Sequence, residues 1–170
     1  MSDFEKTNPS LDGEIFEIRE AQDTDSQGLI ELIGSIFEDY ENCVLDLDGI
    51  DKELFTIKTT CQFQGGNFWV AVVKGKIIGC AGFTKKDNVV ELKRLYIAKD
   101  FRRLGLATKF MNMVIFAAME NSARAVDCWS DTRFVEAHQF YLSHEFEQLP
   151  QTRKLNDPSD SEEYRFMRLL

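Results

Sequence analysis

The stretch from Val89 to Ala107, VVELKRLYIAKDFRRLGLA, restricts the possible folds more than any other part of the chain. It reads as a strand, a short polar turn, and a loop containing one glycine that opens a helix. The first turn of a helix has N–H groups without intrahelical acceptors, and the helix dipole favours negative charge there. Gly105 lets the backbone approach a ligand closely, and Ala107 is small enough to sit beneath one. Arg102 and Arg103 add cationic donors suited to a phosphate. Taken alone, Arg102 to Ala107 fits either a phosphate cradle or an ordinary helix start with solvated arginines.

The flanking segments supply a sheet around this stretch. Ile15 to Arg19 alternates as a first strand would, and Asp23-Thr24-Asp25 offers N-cap candidates ahead of Leu29, Ile30, Leu32, Ile33, Ile36 and Phe37 at helical spacing. A short helix is expected over Asp51 to Thr60. Strands over Asn67 to Val73, Lys76 to Thr84 and the central Val89 to Ile97, joined by Lys74-Gly75 and by Lys85 to Asn88, make an antiparallel meander. Phe110, Met111, Val114, Ala117 and Ala118 mark a helix over Ala107 to Glu120 packed on the sheet. Ala125 to Trp129 then pairs parallel with the central strand in a βαβ unit. Ser130 to Arg133 is expected to be a loop at the end of that strand, followed by a helix over Val135 to Ser143 and a strand from near Phe146. A polar loop over Gln151 to Glu163, able to close over a ligand or simply to join a hairpin, leads to the last strand, Tyr164 to Leu169.

A length of 170 residues with 44% hydrophobic content fits one α+β (mixed α/β) domain over residues 15–170, preceded by a polar, mobile tail over residues 1–14. The net charge of -9 argues against nucleic acid or an anionic membrane as partner and favours a cationic ligand. Glu38 to Glu53 concentrates acids against Lys52 alone, as a solvated loop or as a wall that attracts an amine. Cys43, Cys61, Cys80 and Cys128 are scattered, so they read as reduced, packed thiols of a cytoplasmic protein. With only His138 and His144 to assist them, no metal site is expected.

Arg102-x-x-Gly105-x-Ala107 after a strand ending Leu95-Tyr96-Ile97 resembles the acetyl-CoA-binding motif of the GNAT superfamily of N-acetyltransferases. Ala137-His138-Gln139-Phe140-Tyr141 and the residues after it resemble that family's closing helix and strand, in the right order and spacing. The resemblance implies a mixed, mostly antiparallel twisted sheet of six to seven strands, splayed in the middle, with helices on both faces. It also implies acetyl-CoA as co-substrate. The amides from Arg103 through Leu104, Gly105, Leu106 and Ala107 to Thr108 would hold the diphosphate, with Arg102 and Arg103 adding charge. Leu95, Tyr96 and Ile97 would meet the pantetheine arm, the Ile97 N–H polarising the thioester carbonyl. A homodimer is a family-based expectation.

Acetyl transfer to an amine needs a base for the ammonium proton and an acid for the departing thiolate. By resemblance Tyr141 is the acid. Glu91 stands eleven residues before Arg102, where some family members carry a glutamate base; it equally fits a surface glutamate paired with Lys93. Glu91, Lys93, Leu95 and Ile97 share one face of the strand only if no bulge intervenes. Phe37 and Tyr40 are expected to wall the acceptor site, joined by Ser130 and Asp131. Phe134 stands where family members often carry an asparagine beside the coenzyme, so that contact is not expected. No Cys–His pair suggests a covalent acyl-enzyme.

The expected function is therefore transfer of acetyl to a primary amine of a small molecule by direct attack. A protein or peptide acceptor is an alternative, and a non-catalytic acyl-CoA sensor on the same scaffold is another. A Rossmann nucleotide site is disfavoured because the loop lacks Gly-x-Gly-x-x-Gly and follows a meander.

Overall fold

The computed structural model describes residues 10–11 and 14–170. The tail expectation therefore falls mainly outside the described residues. Ser10–Leu11 (β1) and Glu14–Ile15 (β2) pair antiparallel as a small separate hairpin. The expected first strand is consequently split, and the main sheet begins at Glu17–Glu20 (β3). It continues through Asn67–Val73 (β4), Lys76–Lys86 (β5), Val89–Ile97 (β6), Ala125–Asp131 (β7), Glu147–Lys154 (β8) and Glu162–Leu169 (β9). The seven strands lie in the order β3-β4-β5-β6-β7-β9-β8, with parallel pairing only between β6 and β7.

Helices cover both faces. On one side Ser26–Phe37 (α1) buries Leu29, Leu32, Ile33 and Ile36 at the expected spacing, alongside Ile57–Phe63 (α2). On the other, Leu106–Glu120 (α3) and Val135–Ser143 (α4) pack with Val90, Leu92, Val126, Cys128 and Phe166. Among the described residues, no helix is long and apolar enough to cross a membrane.

Several expected boundaries shift for identifiable reasons. Asp23–Asp25 forms a 3-10 turn, and its acids cap nothing in α1. Asp25 holds Arg19 through two 2.8 Å bonds, and Asp23 reaches Thr59 on α2. The helix expected over Asp51 to Thr60 is a 3-10 stretch over Lys52–Thr56 followed by α2, because Thr56 (φ −138°) interrupts the helical path. Ser130 and Asp131 belong to β7 instead of a loop, since antiparallel pairing with β9 runs on to Asp131 opposite Glu163. Gln151 to Lys154 likewise continue β8, leaving a loop of residues 155–161.

The feature that opens the sheet is a β-bulge in β6. Gly82 faces Lys93 and Cys80 faces Tyr96, so Arg94 and Leu95 together oppose Ala81. Arg94 adopts φ +52°, a region a non-glycine residue seldom enters without support. That support is specific. Its guanidinium meets Asp51 at 2.9 Å and Glu53 at 2.8 Å, and the Cys80 thiol donates to its carbonyl at 3.2 Å. Burial opposes the charge on Arg94, but Glu53 and Asp51 outweigh it and hold the guanidinium protonated. The bulge also reverses the side-chain alternation. Leu92, Leu95 and Ile97 face the α3 side, while Tyr96 packs on the α1 side. Glu91 and Lys93 therefore do not share a face with Leu95 and Ile97.

Replacing Arg94 by Met strands Asp51, which is 5% exposed, and should cost about 3–5 kcal/mol in urea unfolding. A loss below about 0.5 kcal/mol would show that the pair does not hold the bulge.

Candidate active site

Past Glu91 and Asp127, β6 and β7 stop pairing. The wedge between them opens into a cavity of about 620 Å³. Its walls come from both strands, the α1–α2 connection, the loop before α3, α4 and the β8–β9 hairpin.

The loop before α3 forms part of the cavity wall through Arg102, Arg103 and Gly105. Arg103 (φ +60°) and Gly105 (φ +83°) both take left-handed conformations, which turns successive backbone N–H groups toward the cavity mouth. The first intrahelical bond is Lys109 N–H to the Gly105 carbonyl at 3.0 Å, so the amides of Leu106, Ala107 and Thr108 precede it. Among the described residues, the amides of Arg103, Leu104 and Gly105 have no backbone acceptor either. A Cβ at Gly105 would meet no atom within 4 Å, so the space above the loop is open.

The side chains of the loop divide by role. Arg102 donates its Nε–H to the Ile97 carbonyl at 3.0 Å and lies 3.8 Å from Glu136 of α4, whereas Arg103 is exposed. The Thr108 hydroxyl meets His144 Nε2 at 3.1 Å, tying the loop to the end of α4. Leu104 and Leu106 do not line the cavity. Leu104 is exposed to solvent and Leu106 is buried beneath the loop.

In the middle of the cavity, Tyr141 is 6% exposed and its hydroxyl has no hydrogen-bond partner among the described residues. Since no buried side-chain oxygen there lacks a partner while sealed from solvent, that hydroxyl opens into the cavity. Burial, followed by the Cys128, Tyr96 and Glu163 groups, pushes its phenol well above the ordinary value, so it is a protonated donor at neutral pH. Tyr96 is raised by burial in the same way. Glu91 also lines the cavity, and Lys93 binds its Oε1 at 2.8 Å, leaving Oε2 without a partner among the described residues.

Phe37 and Tyr40 line the cavity with Phe134, whose ring lies 5.9 Å from Phe37 and 4.7 Å from Tyr40. The aromatic residue that breaks the family's asparagine pattern thus completes an aromatic wall. Ser130 opens on the cavity with its hydroxyl free, but Asp131 is occupied. Arg133 grips both oxygens of Asp131, at 2.8 and 2.6 Å, and also reaches the carbonyls of Glu41 and Asn42 and the Ser161 hydroxyl. Burial raises the Asp131 carboxyl, but Arg133 outweighs it and the net shift is downward. Ser159 bonds the backbone of Val44 at 2.9 and 3.1 Å, so the β8–β9 loop is latched to the α1–α2 connection.

The acidic run from Glu38 to Glu53 is not a free amine-attracting wall. Its cavity members, Asp51 and Glu53, are consumed by Arg94, and Asp39 meets Lys99. Sequence reasoning did not single out Arg94, Cys128, Trp129, Arg153 or Glu163, all of which line the cavity. Alternation along β7 and β9 was the signal for Trp129 and Glu163, whereas Arg94 depends on the bulge and Arg153 on the β8–β9 register. All four cysteines are free and buried. Of the two histidines, His138 bonds the Asp131 carbonyl at 2.9 Å and His144 contacts Phe140 and Thr108.

Residues 64–148 match the family model described as an acetyltransferase (GNAT) domain, and the chain belongs to that family. It is 34% identical over 121 residues to N-acetylaspartate synthetase of Danio rerio, covering 70% of this chain and 42% of that protein. With the human N-acetylaspartate synthetase it shares 33% identity over 106 residues, 61% of this chain and 34% of the other. The chain thus spans less than half the length of these relatives. Among solved structures, a GNAT-family acetyltransferase from Staphylococcus aureus Mu50 superposes with a TM-score of 0.79 at 24% identity, covering 91% of this chain and 99% of that one. The PaiA N-acetyltransferase of Thermoplasma acidophilum, solved in complex with coenzyme A, gives 0.72 at 16% identity over 91% and 99%. Both carry the same fold.

Proposed function

We propose that the protein transfers acetyl from acetyl-CoA to the primary amine of a small molecule, by direct attack within one ternary complex. The observation that carries this reading is the run of unengaged amides from Arg103 to Thr108 at one end of a cavity that contains a buried, unpartnered tyrosine hydroxyl. Gly105 leaves open space where a side chain would stand, so the loop suits a diphosphate, and Arg103 adds an exposed charge beside it. When bound, acetyl-CoA supplies an activated acetyl thioester.

The chain's own residues supply the proton steps. An alkylammonium has a pKa of about 10.4, so a base is needed before attack near neutrality. Glu91 receives that proton on Oε2, the oxygen Lys93 leaves free, directly or through one water. As the nitrogen–carbon bond forms and the carbon–sulfur bond breaks, Tyr141 passes its phenolic proton to the departing thiolate. Burial favours the neutral phenol and so keeps this donor charged with its proton.

Direct attack is favoured over a relay through cysteine. Cys128 and Cys43 both line the cavity, but burial first, with the acids near Cys128, holds the Cys128 thiol far above its usual value. Burial likewise pushes the Cys43 thiol up to about 11. Thiols held so firmly protonated are poor nucleophiles.

For the acceptor, the relatives' names point to a free amino acid, aspartate. The latched loops favour a small acceptor over a peptide, because Ser159 and Arg133 close the side on which an extended chain would lie. Thiol release from acetyl-CoA across a panel of amino acids and peptides tests the reading: release with aspartate supports it, and coenzyme binding without release in any acceptor would favour a sensor. In that assay Tyr141→Phe should lower kcat by about a hundredfold while coenzyme affinity stays near wild type. An unchanged kcat would remove Tyr141 from the chemistry. Glu91→Gln should depress the rate most at low pH, where less acceptor is already a free amine. A pH profile parallel to wild type would return Glu91 to a structural pair with Lys93.

A further inference from the structure

We infer that Arg153 receives the side-chain carboxylate of the acceptor and thereby makes the site selective for an acidic amino acid. This deepens the acyl-transfer reading above and rests on it.

Strand alternation separates the two faces of the sheet. Val90, Leu92, Val126, Cys128, Tyr164 and Phe166 point into the layer beneath α3 and α4. Their strand neighbours Glu91, Lys93, Asp127, Trp129, Glu163 and Arg165 therefore face the opposite side, and Arg153 joins them through its register with Glu163. On that side α1 and α2 pack over β4, β5 and the end of β6, so the β7-β9-β8 half is left without a helix. The acceptor's approach is across this half.

Three ion pairs occupy the face: Lys93 with Glu91, Arg165 with Asp127, and Arg153 with Glu163. In the last two the cation is the more exposed member, 27% against 11% and 41% against 15%. A molecule entering here meets guanidinium groups before carboxylates. That order suits an anion and disfavours a diamine.

The arginines differ in what they have left to offer. Arg165 commits Nε and Nη2 to Asp127. Arg94 commits Nε to Glu53, Nη1 to Asp51 and Nη2 to the Ile50 carbonyl. Arg133 is likewise committed to Asp131, Ser161 and two carbonyls. Arg153 uses Nε alone, for Glu163, and its Nη1 and Nη2 donors have no partner among the described residues.

The orientation of that free fork is set in advance. The Arg153 guanidinium carbon lies 4.4 Å from the centroid of the Trp129 ring, while Glu163 holds the Nε edge. A guanidinium stacked on one face and pinned on one edge presents its remaining pair of N–H groups in the geometry that binds a carboxylate through two parallel hydrogen bonds. Arg153 and Trp129 both line the cavity that holds Glu91 and Tyr141, so a carboxylate at this fork belongs to the molecule whose amine is acetylated.

The test compares aspartate with asparagine, which matches it in shape but lacks the charge. Wild type should show a higher kcat/KM for aspartate. Arg153→Met should lower the aspartate-to-asparagine ratio by about tenfold or more, roughly 1.4 kcal/mol, mainly through the KM for aspartate. Arg153→Lys should give an intermediate ratio, because it keeps the charge and loses the fork. An acetyl-CoA affinity equal to wild type, measured by calorimetry, verifies that each variant is folded. An unchanged ratio in both variants would overturn the inference and leave the acyl-transfer reading standing, as would a wild type that treats the two amino acids alike. A wild type that releases thiol with no amine at all would overturn both.

Discussion

The clamp of Asp51 and Glu53 on Arg94 is the interaction on which the rest of the structure depends. An extra residue in β6 reverses the pleat at Arg94, and a bulge of this kind ends regular pairing on the strand's other edge as well. Pairing of β6 with β7 ends at Glu91 and Asp127, and the wedge opens beyond that point. The two acids come from the α1–α2 connection, the same segment that supplies Tyr40 and Cys43 to the cavity wall. The bulged strand and the α1–α2 connection are therefore joined through one guanidinium. The nearly buried charge is tolerated because its donors go to two carboxylates and a carbonyl.

A second set of ties closes the far end. Arg133 links β7 to the α1–α2 connection and to the β8–β9 loop, and Ser159 repeats the link to Val44. Segments more than ninety residues apart in sequence thus form one rim. The rim and the amide loop before α3 both border the cavity that Tyr141 and Glu91 also line.

Much of this was legible in the sequence where local rules and packing agree. The apolar spacing of α1 and α3, the meander from Asn67 to Ile97 and the glycine loop all follow from periodicity and turn chemistry. The parts that were not legible depend on contacts between distant residues. The bulge carries no local signal, since Arg94 is neither glycine nor asparagine, and only its pairing with Asp51 and Glu53 makes φ +52° tenable. The acidic run looked like a charged wall because its partner lies some forty residues away. Gln151 to Lys154 looked like loop because an exposed hairpin is polar on both faces, so polarity there reports solvent and not irregular backbone. Arg153, with one edge held and one face stacked, is invisible until the register of β8 against β9 is known.

The central claim is that the amides from Arg103 to Thr108 grip the coenzyme's diphosphate and so aim its thioester at Tyr141 and Glu91. Amide chemical shifts of this loop, followed by NMR as coenzyme A or pantetheine is added, test it most directly. The account predicts large shifts at Gly105, Leu106, Ala107 and Thr108 with coenzyme A and small ones with pantetheine, which lacks the diphosphate. Equal shifts with both ligands, or none at these residues while coenzyme A is bound, would contradict it.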